Sequence, residues 1–261
     1  MNYVYGDLSG DDDRILTAAC YLGRDHQWQA AAVAWEAVLR DAGVSAFHAT
    51  DFYACRGEFK NWTLNDDRHV VFAERFTAVA EEAGLIGFAL GLDGAAYAEL
   101  VAPEAVREDR RHRMTHPRTF AVMSSLAAVG DFLVKTPDRT RGGIRAVFEQ
   151  EQGAGRFRDF FEESNTRRER WTYWFESFAT GPKSLIPLQI ADLLAHEAWR
   201  RVKEVQAENP RPIRKSLDRM LVGGRIDVRW HGREHCVDSA KRIREVLVLY
   251  PNGLAPADAG L

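Results

Sequence analysis

The chain has 261 residues, and its 35 Lys and Arg residues against 38 Asp and Glu residues give a formal net charge of −3 at pH 7. With 46% hydrophobic and 28% charged residues, the composition is that of a globular domain with a real core, which excludes a disordered, fibrous or histone-like polycationic chain. The apolar runs fall far short of the roughly 20 residues that span a bilayer, and the three cysteines are widely spaced, so we expect a cytoplasmic protein with no membrane partner.

The N-terminal part of the chain predicts a β-hairpin followed by a helix. Residues 2–5 predict a strand that ends at Gly6. Residues 15–22 predict a second strand, which pairs with the first through a turn rich in Gly, Ser and Asp. Apolar residues at three- and four-residue spacing then predict an amphipathic helix over 25–42, which Gly43 ends.

The rest of the chain alternates between helical and extended patterns. After a loop over 47–53, we expect a second helix that Asn65 caps and Gly84 ends. The continuous apolar run over 85–92 predicts a buried central strand. Further helices are predicted over 118–134, 156–163, 188–202 and 240–249, and further strands over 143–151, 171–178 and 225–230. This order predicts an α/β domain in which helices cover a mixed sheet.

Three acidic residues lie where predicted strands and helices begin or end. Asp7 lies at the end of the first strand, and Asp192 lies among the apolar residues of a helix. Glu149, like Glu151 two residues later, lies at the end of a later strand. A carboxylate among apolar neighbours is costly to bury unless a positive charge meets it. Mg²⁺ is held by carboxylates, with water and phosphate oxygens completing its shell, and paired ions activate water for phosphodiester cleavage. If the three acids converge at one edge of the sheet, they predict a Mg²⁺ or Mn²⁺ site.

Each of these acids also has an ordinary structural interpretation. Asp7 could bond to backbone amides in a turn, and Glu149 could be a solvated residue at the end of its strand. Asp192 could be favoured by the helix dipole, because it lies near the N-terminus of its helix. Sequence spacing alone does not choose between these interpretations and a metal site.

Basic residues form clusters that suit a polyanionic partner. Arg110, Arg111 and Arg113 belong to an Arg-rich stretch over 107–118, and Lys183 shortly precedes the predicted helix of the last acid. Lys and Arg neutralise phosphates regardless of base sequence, so these residues predict a contact with DNA or RNA. For any single arginine, a solvated helix face balanced by nearby acids is the alternative interpretation.

Four sequence blocks resemble the family called domain of unknown function 3800. They are YGDLSG at 5–10, FHATDF at 47–52, VFE at 147–149 and LQIADLLA at 188–195, of which the last is the most specific match. The blocks follow the family's order from residue 3 to about residue 200. The resemblance implies a ribonuclease H-like fold over 1–205, with helices on both faces of a mixed sheet. Residues 206–261 would form a C-terminal extension packed on the same domain.

By that kinship, the resemblance implies a metal-dependent nuclease or another phosphoryl-transfer activity. Asp7, Glu149 and Asp192 fall on the family's metal positions. His48 falls on its second block, either as a proton-transfer group or as a hydrogen-bonded residue that holds the loop.

The chain departs from the family at Leu8, where an acid is usual. If that acid helps to hold a second metal ion, another acid would have to replace it, and the nearby choices are Asp11, Asp51 and Glu151. The departure also motivates an alternative function. In that alternative, the protein is a module of the same fold that binds nucleic acid or a protein and has lost its catalytic set.

Overall fold

The computed structural model describes residues 1–103, 116–136, 143–150, 154–166, 174–206 and 226–249. The strands in these ranges are β1 (Asn2–Gly10), β2 (Ile15–Arg24), β3 (Ile86–Asp93), β4 (Ile144–Glu149), β5 (Phe175–Gly181) and β6 (Ile226–His231). The main helices are α1 (Asp25–Ala42), α2 (Ala49–Ala54), α3 (Asp67–Glu82), α4 (Pro117–Lys135), α5 (Ala154–Thr166), α6 (Ile186–Val205) and α7 (Arg233–Leu249). Shorter helical segments span Gly57–Phe59, Gly94–Ala96 and Tyr97–Val101.

The six described strands form one mixed sheet in the order β5-β4-β1-β2-β3-β6. Strand β2 is antiparallel to both of its neighbours, β1 and β3. The other pairs, β1 with β4, β4 with β5 and β3 with β6, are parallel. The carboxyl ends of β1, β4 and β5 therefore meet at one edge of the sheet.

Helices pack on both faces of this sheet, each over its own apolar core. On one face, α1, α3 and α6 enclose a core rich in aromatic rings, among them Trp35 and Phe76. On the other face, α4 and α5 contribute Leu126 and Phe161 to a second core. Apolar faces of helices are buried against apolar strand faces, as the periodic sequence patterns require. The prediction of an α/β fold with a mixed sheet is confirmed.

Strand β1 is longer than its sequence suggests. The prediction that it ends at Gly6 is wrong, because the strand continues to Gly10. A Cβ atom at position 6 would clash with the ring of Phe148 on the adjacent strand β4. Gly6 therefore marks a close approach between strands and not a turn. The chain turns only beyond β1, where the Arg14 N–H donates to the Asp11 carbonyl at 3.2 Å.

The helix boundaries follow the prediction at one end of α1 and differ at the start of α3. Gly43 ends α1 with a φ of 71°, a left-handed conformation that suits glycine. The predicted cap of α3 is wrong by one residue. The carboxylate of Asp66 accepts a hydrogen bond from the His69 N–H at 2.7 Å, whereas Asn65 precedes it with a φ of 64°.

The C-terminal elements continue the same sheet and core. Strand β6 pairs in parallel with β3, and α7 lies against the Tyr97–Val101 segment. Between these two helical elements, Arg233 forms two hydrogen bonds to Glu99, at 2.6 and 2.9 Å. The division at residue 206 stays a prediction. Of the helices that the structure describes, none is both long enough and apolar enough to cross a bilayer.

Candidate active site

The three predicted acids come together at the carboxyl edge of the parallel strands. Asp7 lies within β1, one residue beyond the last pair that β1 forms with β4, and Glu149 is the last residue of β4. Asp192 lies near the start of α6, which packs across β1 and β2. Lys183 is placed at the same edge, because it follows the end of β5 by two residues. The carboxyl edge of parallel strands is where α/β proteins commonly bind their ligands.

Asp7 is the innermost member of this acid cluster. It is 1% exposed, and its carboxyl group is in hydrogen-bonding contact with the carboxyl groups of both Glu149 and Asp192. Its Oδ1 atom is buried and has no hydrogen-bond partner among the residues that the structure describes. A buried carboxylate oxygen without a donor is costly, so this atom is an open position for a proton or a cation.

The electrostatics of the cluster favour a proton on the acids. Burial raises the pKa of Asp7 well above its usual range, and the negative charges of Asp192 and Glu149 raise it further. Lys183 lowers the pKa of Asp7, with a smaller effect. Burial also raises the pKa of Asp192, although Lys183 and the Ala49 N–H act against the increase. Like charges this close disfavour full ionisation unless a cation compensates them.

Lys183 supplies one positive charge to the cluster. Its Nζ atom lies 3.3 Å from Oε2 of Glu149, and 36% of its side chain is exposed. Burial lowers the pKa of Lys183, but the carboxylates of Asp192, Asp7 and Glu149 outweigh that effect and raise it overall. The ammonium group therefore stays charged and remains partly open to a ligand in solution.

His48 lies on the other side of Asp192. Oδ2 of Asp192 accepts a hydrogen bond from the Ala49 N–H at 2.9 Å and lies 3.7 Å from Nδ1 of His48. That Nδ1 atom accepts from the Thr50 N–H at 3.2 Å, so His48 is the N-cap of α2. His48 thus holds its loop, as one of the two predicted roles requires. The side chain is also 37% exposed, so the second role, proton transfer, stays a prediction.

Leu8, which lies where the resembled family usually has an acid, points away from the cluster. Successive residues of a strand point to opposite faces of the sheet. Asp7 faces α6, whereas Leu8 is 7% exposed in the core beneath α4. An acid at position 8 of this chain would therefore not reach Asp7, so a leucine there takes no ligand away from the acid cluster.

The other predicted residues do not add a ligand to the cluster. Asp11 is exposed in the turn after β1, and the carboxylate of Asp51 lies beside Gly57. The remaining predicted residues lie outside the described part of the chain, namely Arg110, Arg111, Arg113 and Glu151.

The donor chemistry of the cluster suits a hard divalent cation. Three carboxylates converge, and the unpartnered Oδ1 of Asp7 is the kind of oxygen that Mg²⁺ or Mn²⁺ accepts as a ligand. Within the described ranges, however, no group of three or more His, Cys, Asp or Glu side chains is arranged as a ready-made metal site. The acids contact one another and Lys183, so binding a metal ion would require these contacts to open.

Comparisons with known families and curated proteins gave no match. No family model matches the chain, and no curated protein matches its sequence. The resemblance to domain of unknown function 3800 therefore stays a prediction that rests on the four sequence blocks.

Proposed function

We propose that the protein is a Mg²⁺- or Mn²⁺-dependent phosphodiesterase that cleaves nucleic acid, built on a ribonuclease H-like scaffold. The observation that carries this proposal is the convergence of Asp7, Glu149 and Asp192 at the carboxyl edge of the parallel strands. The strand order and the α/β layers are compatible with such a scaffold.

The charge of the cluster supports a divalent cation. When ionised, the three carboxylates and Lys183 leave two negative charges uncompensated in a largely buried site. Excess buried charge is strongly unfavourable, and a cation of charge +2 balances it. In the absence of metal, the raised pKa of Asp7 allows a proton to take over part of this role.

Each residue has a role that follows from its position. Asp7, Glu149 and Asp192 would hold the metal, which when bound supplies Lewis acidity and an activated water for in-line attack on phosphorus. Lys183 binds a substrate phosphate through its exposed ammonium group. His48 accepts with Nδ1 to cap α2, so its N–H is on Nε2, from which it would donate a hydrogen bond to the leaving oxygen.

The experiment compares cleavage of single-stranded and duplex DNA and RNA in Mg²⁺, in Mn²⁺ and in EDTA. We expect wild-type protein to cleave at least one substrate only with metal, and Asp7→Asn to lose at least about 100-fold in rate. Asp41→Asn is the matched control, because Asp41 is an exposed aspartate that pairs with Arg75 far from the acid cluster. Equal activity of wild type and Asp7→Asn, or full activity in EDTA, would contradict the proposal.

A second candidate is a nucleic-acid-binding module without turnover. The ion pair between Lys183 and Glu149 favours it, since this pair supplies an internal cation in the position where a metal would act. This candidate predicts binding in EDTA that weakens steeply with salt, by about 0.9 logarithmic units per phosphate contact for each tenfold increase in salt. It also predicts no metal-stimulated cleavage. Binding that is insensitive to salt would contradict it.

A further inference from the structure

Gln189 is a buried amide in the first turn of α6, and it was not among the residues that the sequence singled out. It is 2% exposed. Its Oε1 atom accepts hydrogen bonds from the Phe47 N–H at 2.9 Å and from the Trp35 indole N–H at 3.1 Å. Its Nε2 group donates to the Ser184 carbonyl at 3.3 Å. One side chain thus joins α6 to α1 and to two separate loops.

Two of these contacts involve the immediate neighbours of candidate active-site residues. Phe47 precedes His48, and Ser184 follows Lys183. Gln189 therefore holds the backbone beside both basic groups of the site, which lie on different loops.

Asp192 completes this arrangement from the same side of the helix. Residues three apart in a helix share a face, so Gln189 and Asp192 point toward the same loop. Gln189 binds the N–H before His48, and Asp192 binds the N–H after it. The His48 side chain is thus presented between two backbone anchors that both belong to α6.

We propose that Gln189 is a positioning residue, which fixes His48 and Lys183 relative to Asp192. Its catalytic consequence rests on the proposed function, whereas its geometric consequence does not. An amide suits this role because it combines an acceptor for two N–H groups with a donor for a carbonyl. A carboxylate keeps the acceptor and loses the donor, and a thioether provides neither in useful strength.

The test uses Gln189→Met in the full chain, with Trp35→Phe as the matched control. Trp35→Phe removes one hydrogen bond of Gln189, keeps an aromatic ring against Phe47, and removes no atom that bonds Gln189 to Phe47 or Ser184. The readouts are the NMR shifts of the Ala49 amide, the His48 ring nitrogens and the Lys183 ammonium, together with kcat and KM for cleavage. If Gln189→Met does not fold, Gln189→Glu replaces it, since its carboxylate still accepts from both N–H groups but cannot donate to Ser184.

We expect Gln189→Met to shift the signals of Ala49, His48 and Lys183 and to lower kcat by about 10- to 100-fold with little change in KM. Gln189→Glu should shift the Lys183 signal and spare that of Ala49. Trp35→Phe should lower the thermal midpoint and leave the site signals unchanged. Wild-type signals at His48 and Lys183 in Gln189→Met would overturn the proposal, because a merely stabilising residue gives that result. If wild-type protein does not cleave at all, the proposed function fails, and the NMR signals still decide whether Gln189 positions the two groups.

Discussion

Adjacent residues of β1 point to opposite faces of the sheet, so Asp7 and Leu8 lie in different environments. Asp7 faces α6 and contacts two other acids, whereas Leu8 is buried with the apolar side chains beneath α4. A strand cannot direct both side chains to one site without a bulge, and the β1–β2 register is continuous at both positions. Leu8 is therefore part of the core in this chain.

Placing an acid at position 8 tests this conclusion. We expect Leu8→Glu to lower the free energy of unfolding by about 2–5 kcal/mol, because it removes a buried leucine and places a carboxylate in an apolar core. Urea denaturation measures the loss, and Leu8→Met, which nearly conserves volume, is the control. Wild-type stability of Leu8→Glu together with tighter Mn²⁺ binding would show that position 8 does reach the site.

The raised pKa of Asp7 predicts how stability depends on pH. The folded protein binds this proton more tightly than the unfolded chain does, since burial and neighbouring carboxylates raise the pKa of Asp7. The free energy of unfolding therefore falls as pH rises from the ordinary carboxyl range through the raised pKa. Asp7→Asn removes this titration, so in EDTA it should be more stable than wild type at neutral pH.

Thermal denaturation at a series of pH values checks this expectation. The advantage of Asp7→Asn should shrink as the pH falls toward the ordinary carboxyl range, where wild-type Asp7 is protonated in both states. For a chain of this size, each kcal/mol corresponds to about 2–4 °C in Tm. Asp41→Asn should follow the wild-type curve. A stability advantage of Asp7→Asn that grew in acid would contradict the assignment of the raised pKa.

At the scale of elements, the close packing of β1 against β4 positions two of the three acids. Gly6 pairs with Phe148, and each precedes an acid, Asp7 or Glu149. The ring of Phe148 lies over Gly6, where a side chain of any size would displace it. The glycine thus leaves room for the ring of Phe148 between the two acid-bearing strands.

Gly6→Ala tests this coupling between strand packing and the site. We expect it to cost about 1–3 kcal/mol through overpacking, and to lower cleavage because a displaced Phe148 moves Glu149. Gly43→Ala is the matched control, since Gly43 ends α1 with a positive φ and has no atom within 4 Å of an added Cβ. Gly43→Ala should reduce stability by straining the backbone and leave cleavage unchanged. Equal cleavage by the two variants would contradict the prediction, because it would show that the contact between Gly6 and Phe148 does not position Glu149.

The sequence predicts the long elements well and the short or locally determined ones poorly. Helix α1 and strand β3 follow from the spacing of their apolar residues, which a buried face requires. The predicted strand end at Gly6 is wrong because the sequence does not distinguish a glycine in a turn from a glycine that packs under an aromatic ring. Asn65 and Asp66 are both good N-caps, and only the backbone conformation decides between them. Helix α2 is too short for periodicity to reveal.

At the scale of the whole molecule, the topology accounts for which site residues the sequence could suggest. Asp7, Glu149 and Asp192 stand out because strand ends and apolar surroundings are visible in sequence. Gln189 does not stand out, since its partner Phe47 lies 142 residues away and no local pattern marks that contact. Its position in the LQIADLLA block, three residues before Asp192, is a sequence signal that could have suggested it.

The most direct measurement is Mn²⁺ binding to the metal-free protein, followed by electron paramagnetic resonance or calorimetry together with the protons released. We predict that wild-type protein binds Mn²⁺ and releases protons, because the acids must ionise to act as ligands. Asp7→Asn should bind at least about 10-fold more weakly, whereas Asp41→Asn should bind as wild type does. If wild type binds no Mn²⁺, or if Asp7→Asn binds it equally well, the three acids are not a metal site and the nuclease assignment fails.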